Sequence, residues 1–400
     1  MSPALKEPFD ILDVNGHIHT PYSFSAFSEI KQAFLMAKSE KVDVLGINDF
    51  YVADGYEEFS RLALLHRVFP LFNVEFITLN KEWQASGLRV NDPGNPGRTY
   101  FSGKALTFPE RLSGTGGARL AEIREGSQEQ VKEMIMLINK WFNECGMPFE
   151  LDYGVIKSAY AKELVRERHI AKAIRETVFS SFSGDDEIIK ALKTIYGNKQ
   201  VAADIHQSAA LENEIRNNLL KSGGIAFVPE DDSAFLSLDE AIEFIIKAGG
   251  IPCYPVLLDD KSGKYTEFES DYEFMYRELT GRNIYSIELI PGRNSIKFLE
   301  PFVEYFNNKG FVITMGTEHN APDMIPVKND TRERLPLTDF LRTVNYQGAC
   351  VLAAHQFLVS KGTEGYINKK GIADIENKQD YITLGNALIR YFITGRQYPY

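Results

Sequence analysis

Short apolar runs alternate with amphipathic segments from the first residues of this 400-residue chain, and that alternation is what most limits the fold. "DILDVNGHI", "VDVLGIND" and "LFNVEFITL" have the length and apolar content of strands, while "SEIKQAFLMAKSEK" and "YEEFSRLALLHRVF" between them have helical spacing. Strand and helix in regular succession predict βα units and a parallel sheet or barrel. The rhythm breaks at residues 80 to 118, where Gly, Pro and Asn predict a long structured loop. An almost purely helical block follows from about 128 to 222, its last helix expected to run from an N-cap at Asp204 to a stop at Gly223. Strands then return in "GGIAFVP", "IPCYPVLL", "NIYSIELIPG" and "FVITMGTEHN", and two helices near 337 to 360 and 378 to 394 close the chain. The expected organisation is a barrel in two pieces, 1–118 and 223–400, interrupted by a helical insertion at 119–222.

Composition narrows the function classes. With 44% hydrophobic and 25% charged residues the chain can bury a large core. A formal charge of −11 without a long Lys/Arg run argues against nucleic-acid binding, which needs a basic face, but leaves room for a small anion in a locally basic pocket. Cys145, Cys253 and Cys350 are few, scattered and odd in number, as expected in a reducing compartment. No signal-like amino terminus and no apolar run of spanning length is visible, so the expectation is a cytoplasmic protein without a membrane partner.

In parallel barrels the chemistry collects where strands end and βα loops begin. The polar residues at the expected strand ends are His17 and His19, Asn48 and Asp49, Glu75, Tyr254, Glu288, and Glu318 and His319. Two imidazoles and two carboxylates from separate strands suit one divalent ion of the Zn, Mn or Fe class, with His17, His19, Glu75 and Glu318 as ligands.

"NGHIHTPYSFS", "VDVLGINDF", "LFNVEFITL", "AGGIPCYPVLL", "IYSIELI" and "FVITMGTEHN" resemble, in order, the motifs of the PHP family, named after polymerase and histidinol phosphatase domains. "RERHIAKAI" is similar to a segment of PHP-type phosphoesterases that carry a helical subdomain inserted in a distorted, TIM-like (β/α)7 barrel. The resemblance therefore implies that fold and hydrolysis through a metal-activated water, by default of a phosphoester. It also implies which ligands are missing. The acidic ligand that follows the HxH motif is replaced by Phe24, the His of the second motif by Phe50, the His of a later motif by Tyr254, and the final motif reads Gly316-Thr317-Glu318-His319-Asn320. Those losses fall mainly on the second and third metals of the family's cluster, so one metal per chain is expected.

Further candidates lie outside the ligand set. Asp49 can move a proton or cap a loop, His319 can be an acid, a base or a ligand, and His206 beside Asp204 can reach over the mouth from the insertion. Lys162, Arg166 and His169, spaced i, i+4 and i+7, would share one face of a helix and form an anion clamp; Arg89, Arg98 and Lys104 in the long loop are further substrate-binding candidates. The expected function is a metal-dependent hydrolase acting on a small anionic or polyhydroxylated metabolite. The competing readings are a single-metal hydrolase, lyase or isomerase of a sugar or sugar acid, and a catalytically silent ligand-binding module. The sequence leaves the oligomeric state open.

Overall fold

The computed structural model of the chain describes residues 10–112, 117–230, 232–259 and 263–395. Seven strands form one sheet in sequence order: β1 (Asp13–Ile18), β2 (Val42–Phe50), β3 (Phe69–Leu79), β4 (Arg98–Lys104), β5 (Ile251–Val256), β6 (Ser286–Leu289) and β7 (Val312–Met315). All neighbours are parallel except β4, which runs against both β3 and β5. A parallel bridge between Ile18 and Glu318 nearly closes the sheet into a barrel, and His19 N–H donates to the Glu318 carbonyl at 2.7 Å.

Helices α1 (Ile30–Glu40) and α2 (Tyr56–His66) follow β1 and β2, as the spacing predicts. The long loop is more ordered than expected, since it holds the short helix α3 (Lys81–Ser86) and the whole of β4. The helical block comprises α4 (Gly117–Glu144), α5 (Tyr153–Tyr160), α6 (Glu167–Ser181), α7 (Asp185–Ile195) and α8 (Ser208–Leu219). Its residues between Val131 and Val228 bury a core of their own. The barrel continues with α9 (Leu238–Lys247), α10 (Glu267–Ser270), α11 (Tyr272–Gly281) and α12 (Ile296–Asn308), and ends with α13 (Asp339–Ser360) and α14 (Lys378–Thr394). No described helix is long and apolar enough to cross a membrane.

Three local expectations fail for physical reasons. "GGIAFVP" is a run of turns, because Ala226 and Val228 turn into the helical core instead of joining the sheet. Helix α8 begins at Ser208, four residues past Asp204, whose carboxylate accepts from His206 N–H in a preceding turn. Helix α6 begins only at Glu167, so Lys162 and Arg166 precede it and share no helical face with His169.

The barrel interior is polar where many barrels are filled by branched aliphatic side chains. Asn73, fully buried on β3, donates from Nδ2 to the Gly16 carbonyl and accepts at Oδ1 from Ala105 N–H, tying β1 to the end of β4. Gly46 on β2 makes this possible: a Cβ there would lie 2.4 Å from the Gly16 oxygen.

Buried histidines elsewhere give the fold a pH dependence. Burial pushes His169 down to about 3 and His355 down to about 4, while each titrates near 6.5 when unfolded. Between those values the unfolded chain binds the protons and the folded chain does not, so each histidine's contribution to stability falls with pH below about 6.5, by up to about 1.4 kcal/mol per pH unit. Glu75 and Glu269, pushed up by burial to about 8 and about 7, act in the opposite direction. The histidine effect is read by difference: between pH 7.5, 6 and 5 the urea midpoint of wild type should fall relative to that of His355→Gln, which lacks the group.

Candidate metal centre

The closure of the barrel shapes the end of β1. Thr317 and Glu318 N–H groups both donate to the His17 carbonyl, and Gly316 packs so closely that a Cβ there would lie 2.4 Å from His17 Cβ. Any side chain at 316 would push the start of the β7 loop off His17. Glu75 sits on β3, in register with Phe50 on one side and Ser102 on the other.

His17 Nε2 lies 3.3 Å from His19 Nε2, His19 Nε2 lies 3.3 Å from Glu75 Oε2, and His17 Nε2 lies 3.8 Å from the same oxygen. All three side chains are buried. Two ligand atoms bound at about 2.1 Å to a tetrahedral ion lie about 3.4 Å apart, so donor types and spacing fit a single divalent ion. The electrostatics agree. Burial pushes the Glu75 carboxyl up to about 8, the behaviour of an acid that lacks a counter-charge.

A second layer orients the first. Glu288 Oε2 accepts from Lys104 Nζ at 2.5 Å and lies 2.9 Å from His17 Nδ1, and its Oε1 accepts from Ser102 Oγ at 2.6 Å. Burial opposes the Glu288 charge, yet the Lys104 ammonium and His17 hold its carboxyl well below the usual range. An ionised Glu288 can only accept, so His17 carries its proton on Nδ1 and turns the Nε2 lone pair toward His19 and Glu75. Asp49 does the corresponding work behind His19. Its carboxylate accepts from Thr20 N–H at 2.7 Å, Ser23 Oγ at 2.6 Å and Thr20 Oγ1 at 2.5 Å, which fixes the loop that carries the imidazole.

Several residues singled out from sequence therefore take other places. Asp49 is fully buried and its carboxylate accepts three hydrogen bonds from Thr20 and Ser23, the arrangement of a loop cap. His319 is also turned inward: Nδ1 meets Thr317 Oγ1 at 2.7 Å, Nε2 meets the Ile325 carbonyl at 2.8 Å, and Phe27 stacks on the ring. His206 lies on the surface against Asp185, away from the barrel mouth. Arg89 ion-pairs with Glu267 on the surface. Lys104 is in the barrel floor, because β4 runs backwards and carries its last residue beneath Ser102; by the same reversal its first residue, Arg98, stands at the mouth. Lys162 reaches Glu58 and Tyr22 instead of the mouth. His169 is buried, accepting from Arg166 N–H at 3.0 Å and meeting Phe24 edge-on. Glu318 is near the three ligand atoms but outside their group, its carboxylate held by Arg293 and Asn320.

Above the centre opens a cavity of about 240 Å³, walled by the barrel mouth on one side and by α4, α6 and α8 on the other. Phe50 stacks on His19 at 5.0 Å and Phe24 lies at 6.4 Å, so aromatic rings shield the imidazole on the cavity side. The Arg166 guanidinium lies 5.3 Å over Phe50 and that of Arg168 lies 5.2 Å over Phe24. Sequence reasoning missed Arg168, Arg216, Lys221 and Arg293, all of which line this cavity. Arg293 was open to detection as the first cation after the β6 strand end; the others become neighbours only through packing of the inserted helices.

No protein-family model and no curated protein matches the sequence. Solved structures do. A candidate metal-dependent phosphoesterase from Bifidobacterium adolescentis superposes with a TM-score of 0.53 at 14% identity, covering 83% of this chain and 94% of that one. An amidohydrolase from Chromobacterium violaceum, solved with sulfate and without metal, superposes with a TM-score of 0.52 at 16% identity over 83% and 96%. At such identity the likeness establishes the fold alone, a barrel shared with these two proteins.

The buried pair is testable apart from any reaction. Lys104→Met should cost about 3–5 kcal/mol in urea unfolding, because Glu288 is left as an unpaired buried charge, and Lys104→Met/Glu288→Leu should recover much of it. In the double variant, which no longer orients His17, zinc affinity should fall roughly 10- to 100-fold with unchanged stoichiometry.

Proposed function

We propose that this chain is a PHP-type hydrolase that holds one divalent ion on His17, His19 and Glu75 and acts on a small anionic or polyhydroxylated metabolite. The observation that carries the reading is the convergence of three buried ligand atoms, within 4.8 Å of one another, at the floor of a cavity lined by cations. Glu318 is the fourth ligand in this account, exchanging Arg293 for the ion. A bound divalent ion polarises a substrate oxygen and lowers the pKa of a water. The protein's own groups do the rest. Glu288 and Asp49 fix the two imidazoles, Arg98 and Arg166 attract the substrate's negative charge, and Phe24 and Phe50 exclude water from the His19 side.

Phosphoester hydrolysis is the leading reaction, supported by a cationic cavity over a metal-type centre. A single-metal lyase or isomerase of a sugar acid is the second reading, favoured by the rings that stand beside His19 where further ligands would be needed. The cavity suits a small molecule and no nucleic acid, and three free cysteines accord with a cytoplasmic setting.

The test is a panel of phosphomonoesters offered to protein reloaded with zinc or manganese. Inorganic phosphate release that disappears in His17→Ala/His19→Ala is the expected result. Stable retention of one ion without phosphate release would move the assignment to the second reading. Thermal stabilisation by ligands without any turnover would replace both with a binding module.

A further inference from the structure

The cavity wall opposite the metal centre carries more charge than the proposed reaction uses, since Arg166 alone of its cations enters that account. Four cations face the cavity from the inserted helices and their connections: Arg166, Arg168, Arg216 and Lys221. One carboxylate, Glu167, serves two of them, at 2.8 Å from Arg216 Nε and 2.9 Å from Lys221 Nζ. Arg168 has no carboxylate within salt-bridge distance among the described residues and donates only to the neutral Asn213 amide, at 2.7 Å. Arg166 likewise has none, resting on the Phe50 ring. Arg98, at the edge of this wall, is different, since Asp92 and Glu230 both neutralise it.

This concentration of positive charge occurs in a protein whose formal net charge is −11, and all four residues are partly buried, Lys221 with 42% of its side chain exposed. Burial together with repulsion from Arg216 pushes Arg168 down to about 10, a large displacement for a guanidinium. Lys221 is also lowered by burial. A wall of half-buried cations with one carboxylate among four lowers its energy by taking up an oxyanion.

Position supplies the second part of the argument. Arg166 and Arg168 sit over Phe50 and Phe24, and those same rings stand against His19. An anion on the arginines is therefore separated from the metal ligands by the depth of an aromatic ring, too far to be the reacting group and near enough to belong to the same small molecule. We infer that the inserted helices form a distal oxyanion subsite, so that the substrate carries two anionic groups, one reacting at the barrel mouth and one held by Arg168, Arg216 and Lys221. This deepens the proposed function and rests on it for the reacting end only; the subsite itself needs no metal.

Calorimetric titration of the metal-free protein with inorganic phosphate tests the inference. Wild type should bind one phosphate, Arg168→Met and Lys221→Gln should each weaken it at least tenfold, and Arg89→Ala, which removes a surface cation paired with Glu267 outside the cavity, should leave it unchanged. Circular dichroism melts establish that each variant is folded, and the two distal variants serve as independent checks. Absence of phosphate binding in wild type, or binding kept in both distal variants and lost only when the barrel-mouth cation is removed in Arg293→Ala, would overturn the subsite. Failure to load zinc in a parallel metal assay would instead count against the proposed function, with the phosphate result standing on its own.

Discussion

Everything at the barrel mouth depends on one buried ion pair. Lys104 and Glu288 have no access to solvent beyond about a hundredth of their surface, and their charges face each other across the barrel floor. Such a pair is retained only where geometry and further hydrogen bonds offset the loss of hydration. Ser102 and Asn48 supply those bonds, and His17 supplies the last. The result is directional. Because Lys104 fixes Glu288 as an acceptor, His17 has one available tautomer, and its Nε2 faces His19 and Glu75. The reversed strand β4 is what delivers the lysine to the floor.

Much of this architecture was legible in the chain. The strands of "VDVLGIND" and "LFNVEFITL" follow from short apolar runs set between helical segments, and the pair His17 and His19 from an HxH at a strand end. Lys104 was misplaced because Gly, Pro and Asn in residues 80 to 118 signal a loop, while the alternation of "RTYFSGK" is only seven residues long. Asp49 and His319 look free in sequence because nothing local reveals the hydroxyls of Thr20 and Ser23 or the carbonyl of Ile325 as their partners. The cations of the cavity wall come from segments up to fifty-odd residues apart, and only the packing of α6 against α8 brings them together.

The two phenylalanines beside His19 alter the charge logic of the mouth. A centre with several ions neutralises substrate anions by the ions themselves. Here two rings stand beside the His19 imidazole, and positive charge arrives as guanidinium groups laid over those rings. Glu318 adds a linkage. Its carboxylate is held below the usual range mainly by Arg293 against the cost of burial, so in the proposed account an ion that claimed Glu318 would release Arg293 into the cavity. Under that account loading of the centre and binding of an anion would reinforce each other, as reciprocal coupling requires.

The most direct measurement of the central claim is metal content per chain by elemental analysis, after metal-free purification and controlled reloading, for wild type and for His17→Ala/His19→Ala. The account predicts close to one ion per wild-type chain and none in the double variant. Two or more ions per chain, or one retained without both histidines, would contradict it.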